Sequence, residues 1–312
     1  MQFGSGTYQY ELVEGWAKLP AGESFIDISS ISIDRRDRVF IFNRSRHPMM
    51  VFDREGNLLT SWGAEYFTHA HGSCIGPDDA IYCTDDRNHT VAKFDDAGKV
   101  LMVLGTKNQP SDTGYRDVPD LFERISSITK GGAPFNRPTG VALSPAGEIY
   151  VADGYGNARV HKFSPDGKLL LSWGEPGAGP GQFRLPHSVF IDKRNRVWVT
   201  DRENSRIQIF SDKGKLLNQW TDLIRPQDLV IDDDDTVFIS ELCKRISIFT
   251  INGKLLARWG NERHDVRNPL FISPHAIALD SRGDLYVGEV SMSNAMKVDR
   301  GARTVQKFAR KS

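Results

Sequence analysis

The chain repeats one unit six times, and this limits its possible folds more than any other feature of the sequence. The clearest copy runs from Phe183 to Trp220, FRLPHSVFIDKRNRVWVTDRENSRIQIFSDKGKLLNQW. Here SVFID and VWVTD flank the turn RNR, and RIQIF and KLLNQW flank the turn SDKG. Short runs rich in Val, Ile and Phe, bounded by Asn, Asp, Gly and Ser, are strand and tight-turn signals. A lone four-stranded meander keeps two open edges and an apolar face, so it needs neighbours. The other five copies supply them. A period of roughly 40–50 residues with four strands per unit is that of a propeller blade. The expected fold is an all-β, six-bladed β-propeller forming a single domain over residues 1–312, with blades at about 29–63, 71–105, 137–174, 185–220, 225–260 and 273–310. Residues 8–19, YQYELVEGWAKL, are expected to add a strand to the last blade and close it. Residues 106–134 break the rhythm; a long insert in a compact repeat is either functional or disordered. It is read as a lid candidate in which VPDLFERISSI forms a turn or two of helix.

Charge narrows the partners. There are 40 basic against 40 acidic residues and no tail or stripe of one sign stands out, so neither nucleic acid nor an anionic membrane is an expected partner. No window approaches a membrane span, and the first residues lack a basic region followed by an apolar core. A cytoplasmic monomer is expected, acting on a small-molecule or peptide-like substrate that carries a carboxylate. Cys74, Cys83 and Cys243 are too few for a disulfide framework and fit no zinc-knuckle spacing, so they read as free thiols.

Two registers of the repeat carry chemistry. Four residues before the last large aliphatic of each first strand stand Ser29, His71, Thr139, His187, Gln227 and His275. All six are polar, and the three histidines fall in blades two, four and six. Alternate blades of a six-fold ring are about 120° apart, so three imidazoles would converge on the axis in the open His₃ geometry of catalytic zinc. His69 is the alternative ligand if the register slips by one pleat repeat. The histidines outside the register, His47, His69, His89, His161 and His264, are given surface or packing roles. The second register is the end of the second strand, where Arg44 and Arg202 occupy one slot in blades one and four and Tyr155 follows Gly154 in blade three. Arginine offers bidentate capture of a carboxylate, and a tyrosine beside a divalent cation and two guanidiniums can take up a proton. The plainer reading is that both arginines pair with nearby acids.

DGYGNAR, PGQF with PHS close behind it, and DRENSRIQ together resemble the peptidyl-α-hydroxyglycine α-amidating lyase family and, more broadly, the NHL-repeat propellers. The similarity is dense over 135–210 and stays in register through all six units. The resemblance implies a six-bladed propeller with catalytic zinc on His71, His187 and His275, Tyr155 as the catalytic tyrosine, and Arg44 and Arg202 as the functional arginines. It also implies a structural calcium on the carbonyls of Ile31 and Ser73, but the family's calcium-binding aspartate is Ala276 here, which removes the only anionic ligand. The family's disulfides are missing too, with Gly156 where a cysteine follows the catalytic tyrosine.

Three functions stay open on these residues. The first is a zinc-dependent lyase that cleaves an α-hydroxyglycine-type carbinolamide to an amide and glyoxylate. The second is another metal-dependent hydrolase, hydratase or lyase acting on a small oxygenated substrate; histidine sites also accept iron, manganese or cobalt. The third is a non-catalytic NHL-repeat binding platform.

Overall fold

A computed structural model describes residues 2–132, 134–260, 269–293 and 297–311. They form six antiparallel sheets, five of them simple four-stranded meanders, and the fold is the all-β six-bladed β-propeller expected from the repeats. Blade one consists of Ile28–Ile33, Val39–Asn43, Met49–Phe52 and Leu58–Trp62. Blades two to five begin at Ala70, Pro138, Pro186 and Pro226 and end at Leu104, Trp173, Trp220 and Trp259. The second strand of every blade is buried along its full length, including VFIFN, IYCTD, IYVAD and VWVTD. Such a strand packs on both faces, which is why it reads as a continuous apolar run rather than an alternation. The outermost strands, such as LLTSW, are covered on one side only and turn polar or exposed.

The described residues divide into two compact units. One spans Tyr66–Pro226 and holds blades two, three and four. Its core lies between blades, with Tyr82, Phe135, Val151 and Phe163 in one cluster and Tyr150, Phe183, Val199 and Phe210 in another. The other unit joins Met1–Glu65 to Gln227–Ser312 and holds blades five, six and one. There Tyr10, Phe238, Trp259 and Phe308 pack between blades five and six, and Trp16, Phe25, Phe52 and Tyr286 between six and one.

Blade six draws its outer strands from the start of the chain. Tyr8–Val13 pairs antiparallel with Val305–Arg310, and Gln2–Ser5 then pairs with Tyr8–Val13 to make a fifth strand. The expected closing strand 8–19 is therefore shorter: it stops at Val13, and the chain leaves for blade one. The Trp16 indole N–H donates to Arg54 O at 2.8 Å, and Lys18 bridges to Asn57. The hairpin partner Gln2–Ser5 escaped the sequence reading because QFGS has no β-branched residue and is mostly exposed. Tyr10 is fully buried and stacks on Trp259, with ring centroids 5.6 Å apart. Deleting residues 1–13 should therefore cost at least about 3 kcal/mol, the scale of one buried aromatic. A thermal melt of the truncated protein checks this, and an unchanged midpoint would refute it.

The insert carries one short helix, Leu121–Ser127, with Asp120 as its N-cap, accepting from Glu123 N–H at 2.9 Å. It is pinned to blade three where Thr113 Oγ1 donates to Gly156 O at 2.6 Å and Asn136 Nδ2 donates to Ser111 O at 3.0 Å. Among the described residues no helix is long and apolar enough to cross a membrane.

Candidate active site

Ser29, His71, Thr139, His187, Gln227 and His275 are each the second residue of a blade's first strand, and all six are buried. In five of those blades the ladder to the second strand skips at this point: between Ile28 and Ser30, Ala70 and Ser73, Pro138 and Gly140, Pro186 and Ser188, and Pro274 and Ala276. A bulge of this kind takes a residue out of pairing and re-aims its side chain. The acids of the second register brace it. Asp85 accepts from Thr68 and His69 N–H at 2.6 and 3.1 Å. Asp201 accepts from Arg184 and Leu185 N–H at 3.0 and 3.2 Å, and Glu289 from Ile272 and Ser273 N–H at 2.5 and 2.8 Å. In each histidine blade, then, a buried carboxylate clamps the backbone two or three residues ahead of the imidazole. These acids serve as latches, a role that spacing alone did not reveal.

Within Tyr66–Pro226 the structure brings together His71, His187, Tyr155 and Arg202. Tyr155 Oη lies 3.0 Å from His71 Nε2, 3.4 Å from His187 Nε2 and 3.5 Å from Arg202 Nη1. Tyr155 reaches this position because Gly154 precedes it; a Cβ there would stand 2.0 Å from Pro186 O, at the entry to blade four. His71 Nδ1 is 2.6 Å from Thr139 O. A carbonyl only accepts, so Nδ1 carries the proton and Nε2 is the basic nitrogen. His71 and His187 are 1% and 2% exposed.

Arg202 answers to both sequence readings. Its Nε donates to Glu203 Oε1 at 2.7 Å, so it is paired with an acid, while its guanidinium stands 5.5 Å from the Tyr155 ring centre. Burial works against charge on Glu203, but Arg202 and Arg225 outweigh it and hold that carboxyl below its usual range. A second guanidinium escaped the sequence reading. Arg137 lies 5.4 Å from the same ring centre, donates through Nε and Nη2 to Asp86 at 3.1 and 2.7 Å, and donates through Nη1 to Tyr115 of the insert at 2.6 Å. Asp86 is fully buried; burial raises its pKa, but the contacts with His69 and Arg137 prevail and hold the carboxyl well below the ordinary range. Arg137 sits between repeats, and Asp86 occupies the slot that holds Arg44 and Arg202 in other blades, where an acid by itself did not reveal its role.

In the other unit, His275 is 3% exposed and its Nδ1 lies 2.9 Å from Ser29 O, the same proton assignment as in His71. Arg44 is held by Ser293 Oγ at 3.1 Å and by Asp27 at 3.5 Å.

The remaining histidines divide differently from expectation. His69 does not stand in for His71: its Nδ1 bonds Asp86. His89 Nδ1 accepts the Arg137 N–H at 3.1 Å, so both belong to the support of Arg137 rather than to plain packing. His161 is buried against Ser172 at 2.8 Å, and His47 pairs with Glu23 at the surface. His264 lies outside the described residues. The calcium ligands do not fit: Ala276 offers no anionic oxygen, and Ile31 and Ser73 are ladder residues opposite Ile41 and Cys83. The imidazoles do suit a transition metal, because a ring whose Nδ1–H is tied to a carbonyl presents an oriented, more basic Nε2.

Comparison with known proteins bears out the resemblance read from the sequence. The NHL repeat family matches residues 135–163 and 183–210. NHL repeat-containing protein 3 of Homo sapiens is 33% identical over 227 residues, covering 68% of this chain and 59% of that protein. Peptidyl-alpha-hydroxyglycine alpha-amidating lyase 1 of Drosophila melanogaster is 32% identical over 231 residues, covering 62% of this chain and 39% of that protein. Peptidyl-glycine alpha-amidating monooxygenase of Mus musculus is 28% identical and covers 86% of this chain, which spans only 30% of that protein. Among solved structures, a streptogramin B lyase matches with a TM-score of 0.59 at 15% identity, covering 99% of this chain and 90% of the other. A gluconolactonase from Xanthomonas campestris matches with a TM-score of 0.62 at 12% identity, covering 96% and 94%. At such identities these two speak for the fold alone.

Proposed function

We propose that this chain is a metal-dependent lyase that splits the C–N bond of an α-hydroxyglycine-type carbinolamide into an amide and glyoxylate. The observation that carries the reading is the Tyr155 hydroxyl, set 3.0 and 3.4 Å from Nε2 of two histidines with the Arg202 guanidinium beside it. The relatives named as α-hydroxyglycine amidating lyases support the reaction class. In this reading His275 joins His71 and His187, three buried imidazoles that could hold one metal ion, with zinc as the metal assigned. Bound there, such an ion would supply a Lewis acid that lowers the pKa of the substrate hydroxyl.

The chain's own residues do the rest. The Tyr155 oxygen takes the hydroxyl proton, the O–H electron pair becomes the aldehyde C=O, and the C–N pair leaves on nitrogen. The same proton then passes to nitrogen, and the amide departs; no water is consumed. Arg202 pairs with the carboxylate of the hydroxyglycine. Arg44, in the matching slot of blade one, is assigned to the same anion and the charge that develops on it. Arg137, braced by Asp86, positions the Tyr155 ring.

Zinc-loaded protein given N-acetyl-α-hydroxyglycine should release one glyoxylate per amide formed. Turnover of lactones or simple esters, with no glyoxylate from any α-hydroxyglycine derivative, would move the protein to the hydrolases.

A further inference from the structure

Tyr155 stands between two glycines, Gly154 and Gly156, on the least constrained backbone that a chain can offer. Neither glycine has room for a side chain: at Gly156 a Cβ would lie 2.2 Å from Asn136 Oδ1. An oxygen that passes a proton has to be held within a fraction of an ångström of its partners. The stiffness that the segment lacks must therefore come from outside it.

The insert supplies it at two points. The first is Thr113, only 1% exposed. Its Oγ1 donates to Gly156 O at 2.6 Å and accepts from Tyr115 N–H and from Asn136 Nδ2, each at 3.3 Å. On the other side, Gly156 N–H donates to Asn136 O at 3.0 Å and Tyr155 N–H to Arg137 O at 3.3 Å. The second point is the Tyr115 hydroxyl. It donates to Asp117 at 3.1 Å and so turns its lone pairs to Arg137 Nη1, 2.6 Å away. The Arg137 guanidinium carbon lies 5.8 Å from the centre of the Tyr115 ring and 5.4 Å from that of Tyr155. Arg137 also holds a backbone φ of 65°, which a residue with a side chain keeps only where its surroundings impose it. The helix backs both points: Ser127 Oγ accepts Arg116 N–H at 2.8 Å, and Thr129 N–H donates to Thr113 O at 2.9 Å.

We infer that Thr113 and Tyr115 are positioning residues for Tyr155. Thr113 fixes the backbone that carries the ring, and Tyr115 fixes the ring itself by acting through Arg137. The insert then serves as a fixed mount for the reacting oxygen. That Tyr155 moves the proton is taken from the lyase reading.

Turnover and backbone mobility test it separately. Thr113→Val removes the hydroxyl at nearly constant volume, and Tyr115→Phe removes only the phenolic oxygen. With zinc-loaded protein and N-acetyl-α-hydroxyglycine, each should lower kcat about 10–100-fold, the scale of a small misplacement, and leave KM and zinc content unchanged. Thr113→Ser keeps the hydroxyl and should restore kcat. Arg137→Lys should show a loss of its own, to which Tyr115→Phe adds little, because the tyrosine works through that guanidinium. Lys130→Ala, which breaks an exposed ion pair with Asp112 elsewhere in the insert, should leave kcat as it is. Amide hydrogen exchange over residues 154–156 needs no substrate; it should quicken about tenfold in Thr113→Val, the order of one lost hydrogen bond, and not in Thr113→Ser. Full kcat in Thr113→Val and Tyr115→Phe, losses that add fully in the double variant, or exchange that does not change overturns the inference. Absence of glyoxylate from the unaltered protein overturns the lyase reading instead, and the exchange rates still decide whether the insert holds the tyrosine.

Discussion

His187→Ala yields a folded protein that no longer keeps its metal. The side chain is 2% exposed and sits where the ladder of blade four skips from Pro186 to Ser188, so its loss leaves a small void and breaks no strand pairing. Far-ultraviolet circular dichroism should be unchanged. Losing a partner one shell further out already costs a metal site about 10–100-fold in affinity, and losing a ligand costs more. Elemental analysis after gel filtration should therefore show near-stoichiometric zinc in the unaltered protein and almost none in the variant, with turnover lost alongside. If instead the variant retains full metal, His187 is not a ligand, and the donor set proposed with His71 and His275 fails.

Tyr155→Phe separates chemistry from metal. The ring and its stacking against Arg137 and Arg202 are kept, and only the oxygen beside His71, His187 and Arg202 Nη1 is removed. A general acid or base contributes about 10²–10⁴-fold, so kcat should fall by that much while metal content and KM stay close to the unaltered values. A variant that still turns over at the original rate would show that the proton goes elsewhere. Loss of metal with the hydroxyl would instead make Tyr155 part of the metal's holding, with no separate part in proton transfer.

How much of the site could be read in advance depended on whether a residue sits at the same place in each repeat. His71, His187 and His275 could be picked out because their three blades begin in the same way: an acid latches the incoming backbone, the second residue bulges, and the side chain at that point leaves the ladder. Tyr155, Arg44 and Arg202 could be found by counting to the end of the second strand. Arg137 and Glu203 could not, and Asp86, though it stands in the slot of Arg44 and Arg202, gave no sign of its part in the site. Arg137 belongs to the connection into blade three and meets Asp86 across 51 positions of chain. Glu203 lies next to Arg202, but its second partner, Arg225, is 22 positions away. The insert helix was visible because its signal is local, an Asp120 cap followed by a short apolar-polar run. That the insert's Tyr115 would reach Arg137 was not.

The sequence by itself determined the six meanders and the polar slot at the head of each, because strands, tight turns and bulges answer to residues a few positions apart. Only the tertiary structure decided which charges surround Tyr155, and that Arg137 would meet Asp86 and the insert's Tyr115 beside it. Those outcomes depend on groups far apart in sequence finding partners as they leave water. A buried guanidinium or carboxylate must be paired wherever the fold can supply a partner, and no local pattern records which one that is.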